Sequence, residues 1–138
     1  MNMNILERWH PIALGNNKKF YVEGIHSDFE GFRILLRGDS VELPMLRIFW
    51  GYRIPSFRVS QEERLLKIWH GTDKSLLGNT FYIVRNSTYV ENIKEMEMGF
   101  YPKSKLTHYA IFTVEDCIDI LSEIPPKTEW LTGDLATE

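Results

Sequence analysis

The groups in this 138-residue chain to weigh first for chemistry are four histidines, one cysteine and 19 acidic side chains. The histidines are His10, His26, His70 and His108, and none lies within a few residues of another or of Cys117. Metal centres betray themselves by ligands that converge at short spacing, so no metal is expected here. A cysteine nucleophile needs an activating base and exposure. Cys117 instead shares an apolar spacing with Val114, Ile118 and Leu121, which reads as a small core side chain. His108 could serve as a general base, but a histidine at the end of a strand reads first as hydrogen-bonded structure. Glu62 and Glu63 are adjacent, and on a helix they would point about 100° apart, away from any shared substrate. Asp39 to Glu42 has the look of a nuclease carboxylate pair, but no lysine follows at the right place. No phosphate-cradling glycine loop and no GxSxG elbow is present. The expectation is a protein that is not an enzyme, with no catalytic residue, no cofactor and no metal.

Arginine supplies a different chemistry. Arg33, Arg37, Arg47, Arg53 and Arg58 are interleaved with Phe49, Tyr52 and Phe57. Cations spaced among aromatic rings suit a surface on which bases stack. A solvated sheet face, with arginine stems lying over apolar surface, explains the same pattern. The net charge of −3 favours the second reading, and nucleic acid is not the expected partner.

The elements that would position these groups follow from periodicity. Ile5, Leu6 and Trp9 make one stripe of a short helix ended by Pro11. Lys18–His26 alternates as a strand, with Phe20, Val22 and Gly24 on one face and Tyr21, Glu23 and Ile25 on the other. Phe32–Arg37 and Pro44–Tyr52 alternate likewise, the latter with Leu46, Ile48 and Trp50 on one face. Short polar turns join the three into an antiparallel meander. Ser60, followed by Gln61, Glu62 and Glu63, has the form of a capping box for a helix over 61–69, with Gly71 behind it. Asn79–Arg85 reads as a strand. Asn86 or Ser87 then caps a helix to about Met98 that turns Tyr89, Ile93 and Met96 inward, and Gly99 ends it.

The clearest signal is LTHYAIFTVEDCIDILSE, residues 106–123. Aromatic and β-branched residues in 106–113 predict a strand. Thr113 with Asp116 then resembles a capping box, and Val114, Cys117, Ile118 and Leu121 recur at helical spacing. Pro125 and Pro126 would stop that helix. The fold class expected is α+β: one domain over 1–138, a mainly antiparallel sheet with packed helices, and a frayed tail over about 131–138.

Bulk properties agree with a folded domain. Apolar residues make up 43% and charged residues 25%, ordinary values for a globular chain. One cysteine excludes an internal disulfide. The opening MNMNILERWH carries no long apolar run, and no stretch approaches membrane-spanning length; a cytoplasmic protein is expected. Charge is uneven. From Val114 onward seven acids meet one base, a net −6, while the preceding residues carry 15 bases and 12 acids. On a helix over 113–123, Glu115, Asp116, Asp119 and Glu123 would form an acidic outer side able to attract a basic partner.

Three segments resemble pieces of a known family. FYIVRNSTYVENI (81–93) and HYAIFTVEDCIDILSEIPP (108–126) are similar to strand–helix pieces of small bacterial immunity proteins encoded beside contact-dependent growth-inhibition and related polymorphic toxins. YRIPSFRVSQEERLLKI (52–68) resembles the segment before them more weakly. Together they cover about one third of the chain, and the first 50 residues add nothing to the match. The resemblance implies a protein that binds one cognate toxin and blocks it by occupancy. It also implies a fold like that of some relatives, which resemble Whirly-type domains, a sheet-and-helix unit repeated twice. Many such toxins are nucleases with basic surfaces, which Glu115, Asp116, Asp119 and Glu123 would meet by charge. The competing expectation is a non-enzymatic module that binds nucleic acid or a small ligand on the arginine-rich sheet face.

Overall fold

The structure, a computed structural model, describes residues 4–52, 54–61 and 79–131. Among these residues nine strands and one helix follow one another: β1 (Ile5–Arg8), β2 (Phe20–Asp28), β3 (Gly31–Gly38), β4 (Met45–Phe49), β5 (Ser56–Gln61), β6 (Phe81–Arg85), α1 (Thr88–Met96), β7 (Thr107–Phe112), β8 (Asp116–Ser122) and β9 (Lys127–Leu131). They form two antiparallel sheets. One has the order β1-β6-β7-β8-β5, the other β2-β3-β4-β9.

The meander forms as its alternation predicts. Phe32, Ile34 and Leu36 of β3 and Leu46, Ile48 and Trp50 in and after β4 are fully buried. They meet Phe81, Tyr109, Ile111, Ile118 and Ile120 from the five-stranded sheet in one shared core. Trp9 extends this core, its ring 4.9 Å from that of Tyr109 and 5.8 Å from that of Phe81. Within β2 the register shifts between Val22 and Gly24. This bulge turns Ile25, and not Gly24, onto the core face after Val22, because an extra residue in one strand reverses the alternation beyond it.

The expected helix over 113–123 is strand β8. Thr113 and Asp116 do bond to each other, but across a hairpin. The Thr113 amide donates to Asp116 O at 2.8 Å, and Thr113 Oγ1 accepts from the Asp116 amide at 3.1 Å. The local hydrogen bond that signs a helix start thus also closes the turn between β7 and β8. Burial decides between the two. Cys117 to Ser122 are buried without a break, as a strand covered on both faces requires. A single helical stripe would have left Ile120 outside, and Val114, assigned to that stripe, is exposed.

Other elements also differ from expectation. Residues 5–8 form strand β1 rather than a helix, because Leu6 pairs with Val84 at the edge of the larger sheet. Ser60 and Gln61 belong to β5, opposite Cys117 and Asp116, so Gln61 is strand where the helix was expected to begin; the rest of the expected 61–69 helix lies outside the described residues. Met96 of α1 is exposed rather than inward, since a helix of nine residues has one short contact face. β8 ends at Ser122, and Pro125 and Pro126 lie in the connection that carries the chain across to β9 in the other sheet. Leu131 is paired with Met45; the rest of the expected frayed tail, 132–138, lies outside the described residues. The fold is a mainly antiparallel, two-sheet domain with one helix among the described residues. None of these residues forms a helix long and apolar enough to cross a membrane.

Candidate functional site

Strand β8 carries the chemistry on its other face. Along β7 and β8, Tyr109, Ile111, Ile118 and Ile120 point to the shared core, so His108, Ala110, Cys117, Asp119 and Leu121 point the opposite way. Register pairs Ala110 with Asp119 and His108 with Leu121. His108 and Asp119 are therefore diagonal neighbours, and His108 Nε2 lies 2.6 Å from Asp119 Oδ1. The other ring nitrogen, Nδ1, lies 2.7 Å from Ser87 Oγ. Ser87 is the N-cap of α1 and also accepts from the Val90 amide at 3.0 Å. Three side chains from a helix cap and two strands thus form one line, Ser87–His108–Asp119.

A second set of partners closes around Asp119. Arg58 sits directly opposite on β5, and its Nε donates to Asp119 Oδ2 at 2.9 Å. The guanidinium also lies 4.2 Å over the Tyr89 ring. Tyr89 packs edge-on against His108 and bonds through its hydroxyl to Ser56 Oγ. Asp119 is 0% exposed, His108 2% and Ser87 7%. Burial alone would raise the Asp119 pKa, but the hydrogen bond from His108 and the Arg58 guanidinium outweigh it and hold the carboxyl below the usual range. Burial pushes the Tyr89 phenol up. A cleft of about 320 Å3 opens beside this network, lined by Ser87 and His108 with Ile83, Val90, Leu106 and Thr107.

The structure separates the four acids expected to form one partner-binding face. Asp119 is sealed inside the network. Glu115 and Asp116 stand at one end of β8 and Glu123 just past the other, more than about 20 Å away along an extended strand. Cys117 is buried in the sheet. His70, Glu62, Glu63 and Arg53 lie outside the described residues. Asp39 accepts from the Lys18 amide at 2.9 Å, a turn contact. Among the described residues no group of three or more His, Cys, Asp or Glu side chains is placed to hold a metal ion.

The arginine-rich face is neutralised in place. Arg33 pairs with Asp28 and Glu30, Arg37 with Glu23, Arg47 with Glu129 and Arg58 with Asp119. Arg37 and Arg47 also lie over the Tyr21 and Phe49 rings. These pairs leave little field for a phosphate chain.

Exposed apolar side chains fall close together in the chain elsewhere. At the end of α1 and in the turn after it, Met96, Met98, Phe100 and Tyr101 are 75%, 82%, 81% and 60% exposed. Met98 and Gly99 both have positive φ, 52° and 78°, so the chain reverses here. Lys94 Nζ fixes the turn by donating to Tyr101 O at 2.8 Å.

Comparison of the chain with protein-family models, with curated proteins and with solved structures returned no match.

Proposed function

We propose that the chain is a partner-binding protein of the immunity type, which occupies a cognate toxin and blocks it without chemistry. The observation that carries this reading is the apolar ridge Met96, Met98, Phe100 and Tyr101. Large exposed side chains grouped in one turn are costly in water and are favoured where a partner covers them. Methionine and aromatic residues are also enriched in the contact cores of protein interfaces. The strand–helix piece at 81–93 supports the resemblance to immunity proteins, since β6 runs directly into capped α1. The piece at 108–126 is a hairpin and adds no strand–helix unit. Contact therefore moves from an acidic helix to the ridge, with Glu115, Asp116 and Glu123 left as peripheral charges. A cytoplasmic location belongs to the same reading.

The test is capture of the toxin domain encoded by the adjacent reading frame. Met98→Glu combined with Phe100→Glu should weaken capture at least about tenfold and abolish protection of a toxin-expressing cell. Undiminished capture by the double variant would remove the ridge from the interface. No binding of that toxin by the unaltered protein would end the immunity reading.

A further inference from the structure

We propose that Ser87, His108 and Asp119 form an acyl-transfer site, with Ser87 as the nucleophile acting on small carboxylic esters. This goes beyond toxin binding and does not depend on it. The order of contacts is that of a nucleophile, a base and a group that orients the base. Asp119, ionised and buried, accepts from His108 Nε2 at 2.6 Å. In the neutral ring this bond fixes the proton on Nε2 and leaves Nδ1 as an acceptor. Ser87 Oγ stands 2.7 Å from that nitrogen, so its hydroxyl proton is aimed at a base.

The local structure suits attack. Asn86, just before Ser87, has φ 53°, and this left-handed residue turns the chain sharply from β6 into α1. Of the two lone pairs on Ser87 Oγ, one takes the Val90 amide and one remains for a carbon atom. The Val90 N–H and the positive end of α1 would meet charge developing on that oxygen. Ser87 and His108 both line the cleft of about 320 Å3, a volume at the small end of ligand sites. Ile83, Val90 and Leu106 give it one apolar side that fits a short acyl chain, while Arg85, Asn86 and Glu91 line it with polar groups.

The step balances with water alone. Ser87 Oγ bonds to the ester carbonyl carbon as its proton passes to His108 Nδ1. Collapse of the tetrahedral adduct breaks the bond to the leaving oxygen, which takes that proton and departs as an alcohol. Water then adds to the acyl carbon and gives a proton to Nδ1. The acid leaves as Ser87 Oγ recovers the proton. The Thr88 amide is already held by Asn4 Oδ1 at 2.9 Å and the Val90 amide by Ser87 itself. Stabilisation of the carbonyl oxyanion is correspondingly modest, and a slow second half with a persistent acyl-enzyme is expected.

The full chain is treated with p-nitrophenyl acetate, following p-nitrophenol release and the intact mass, with peptide mapping of the adduct. A burst of p-nitrophenol and an acetyl group on Ser87 are expected. Ser87→Asn retains a side chain that can cap α1 and should lose the adduct. His108→Gln should slow acylation at least about a hundredfold, with circular dichroism showing both variants folded. If either variant fails to fold, the unaltered protein decides alone: the acetyl group should map to Ser87 and form there faster than on the surface lysines. Absence of an adduct on Ser87, or acetylation only at lysines, would overturn the proposal.

Discussion

His108 Nε2 and Asp119 Oδ1 lie 2.6 Å apart on neighbouring strands, one diagonal step across the β7–β8 register; Asp119 is fully buried, and His108 is nearly so, at the wall of the cleft. A carboxylate in that position must keep its partners. Replacing Asp119 by Ala leaves Arg58 and His108 facing a void with no acceptor, and should cost about 3–5 kcal/mol. Asp119→Asn keeps the shape but loses the charge and should cost less. Urea denaturation of the two variants measures the order.

The same carboxylate sets a pH dependence. Its folded pKa lies below the ordinary aspartate value, so the folded form binds fewer protons than the unfolded form. The stabilisation is therefore complete above the unfolded pKa of about 3.9 and fades as pH falls below it through the lowered folded value. Asp119→Asn should flatten this acid limb, which thermal melts between pH 6 and pH 2 would show.

Gly31 begins β3 at φ 106°, and a Cβ there would stand 2.8 Å from Gly51 O and against the Phe49 ring. The first contact is to backbone and cannot be relieved by a side-chain rotation. Gly31→Ala should lose at least about 1–3 kcal/mol. Gly99, also at positive φ but with open space around it, should lose less on the same change. Paired denaturation curves separate conformational strain from collision.

Trp50 is fully buried, with rings of Trp9, Phe32 and Tyr109 within 6.3 Å, and its indole N–H finds no acceptor among the described residues. Trp50→Ala should cost about 3–5 kcal/mol. Trp50→Phe also empties space but removes an unmet donor, so its cost should be clearly smaller.

The paired arginines of the meander predict weak attraction for nucleic acid. A single-stranded oligonucleotide should show no measurable binding at physiological salt. Glu23→Gln with Glu129→Gln, which frees Arg37 and Arg47, should raise binding at low salt. Tight binding by the unaltered chain would restore the nucleic-acid reading.

The meander was legible in the sequence because Phe32, Ile34 and Leu36 alternate with Arg33, Leu35 and Arg37 along a half-covered surface. Strand β6 and capped α1 were legible for similar reasons. β8 was not, because Thr113 and Asp116 make the same local bond in a hairpin as in a helix cap, and the apolar residues after them fit both periods. Asp119 then read as an outward acid, although its place between Ile118 and Ile120 is that of a buried strand residue. His108 and Ser87 were visible one at a time, as a histidine at a strand end and a helix cap. What joins them is the β7–β8 register and the entry of α1, and those depend on contacts between distant segments. The exposure of Met96 was hidden because apolar spacing does not say how far a short helix stays in contact.

The pairing of β1 with β6 and of β4 with β9 joins residues about eighty positions apart, as Glu7 with Arg85 and Arg47 with Glu129 show. Each sheet therefore has an edge that waits for a late part of the chain. During synthesis the smaller sheet cannot be completed until residue 131 has emerged, and Leu6 has no cover until Val84 arrives. Folding of so non-local a pattern is slow, and until it finishes the open flanks of β4 and β6 are templates for pairing with another molecule. Shortening the chain before β9 would leave the flank of β4 open permanently, so yield in the cell would fall through aggregation before any loss of binding could be observed.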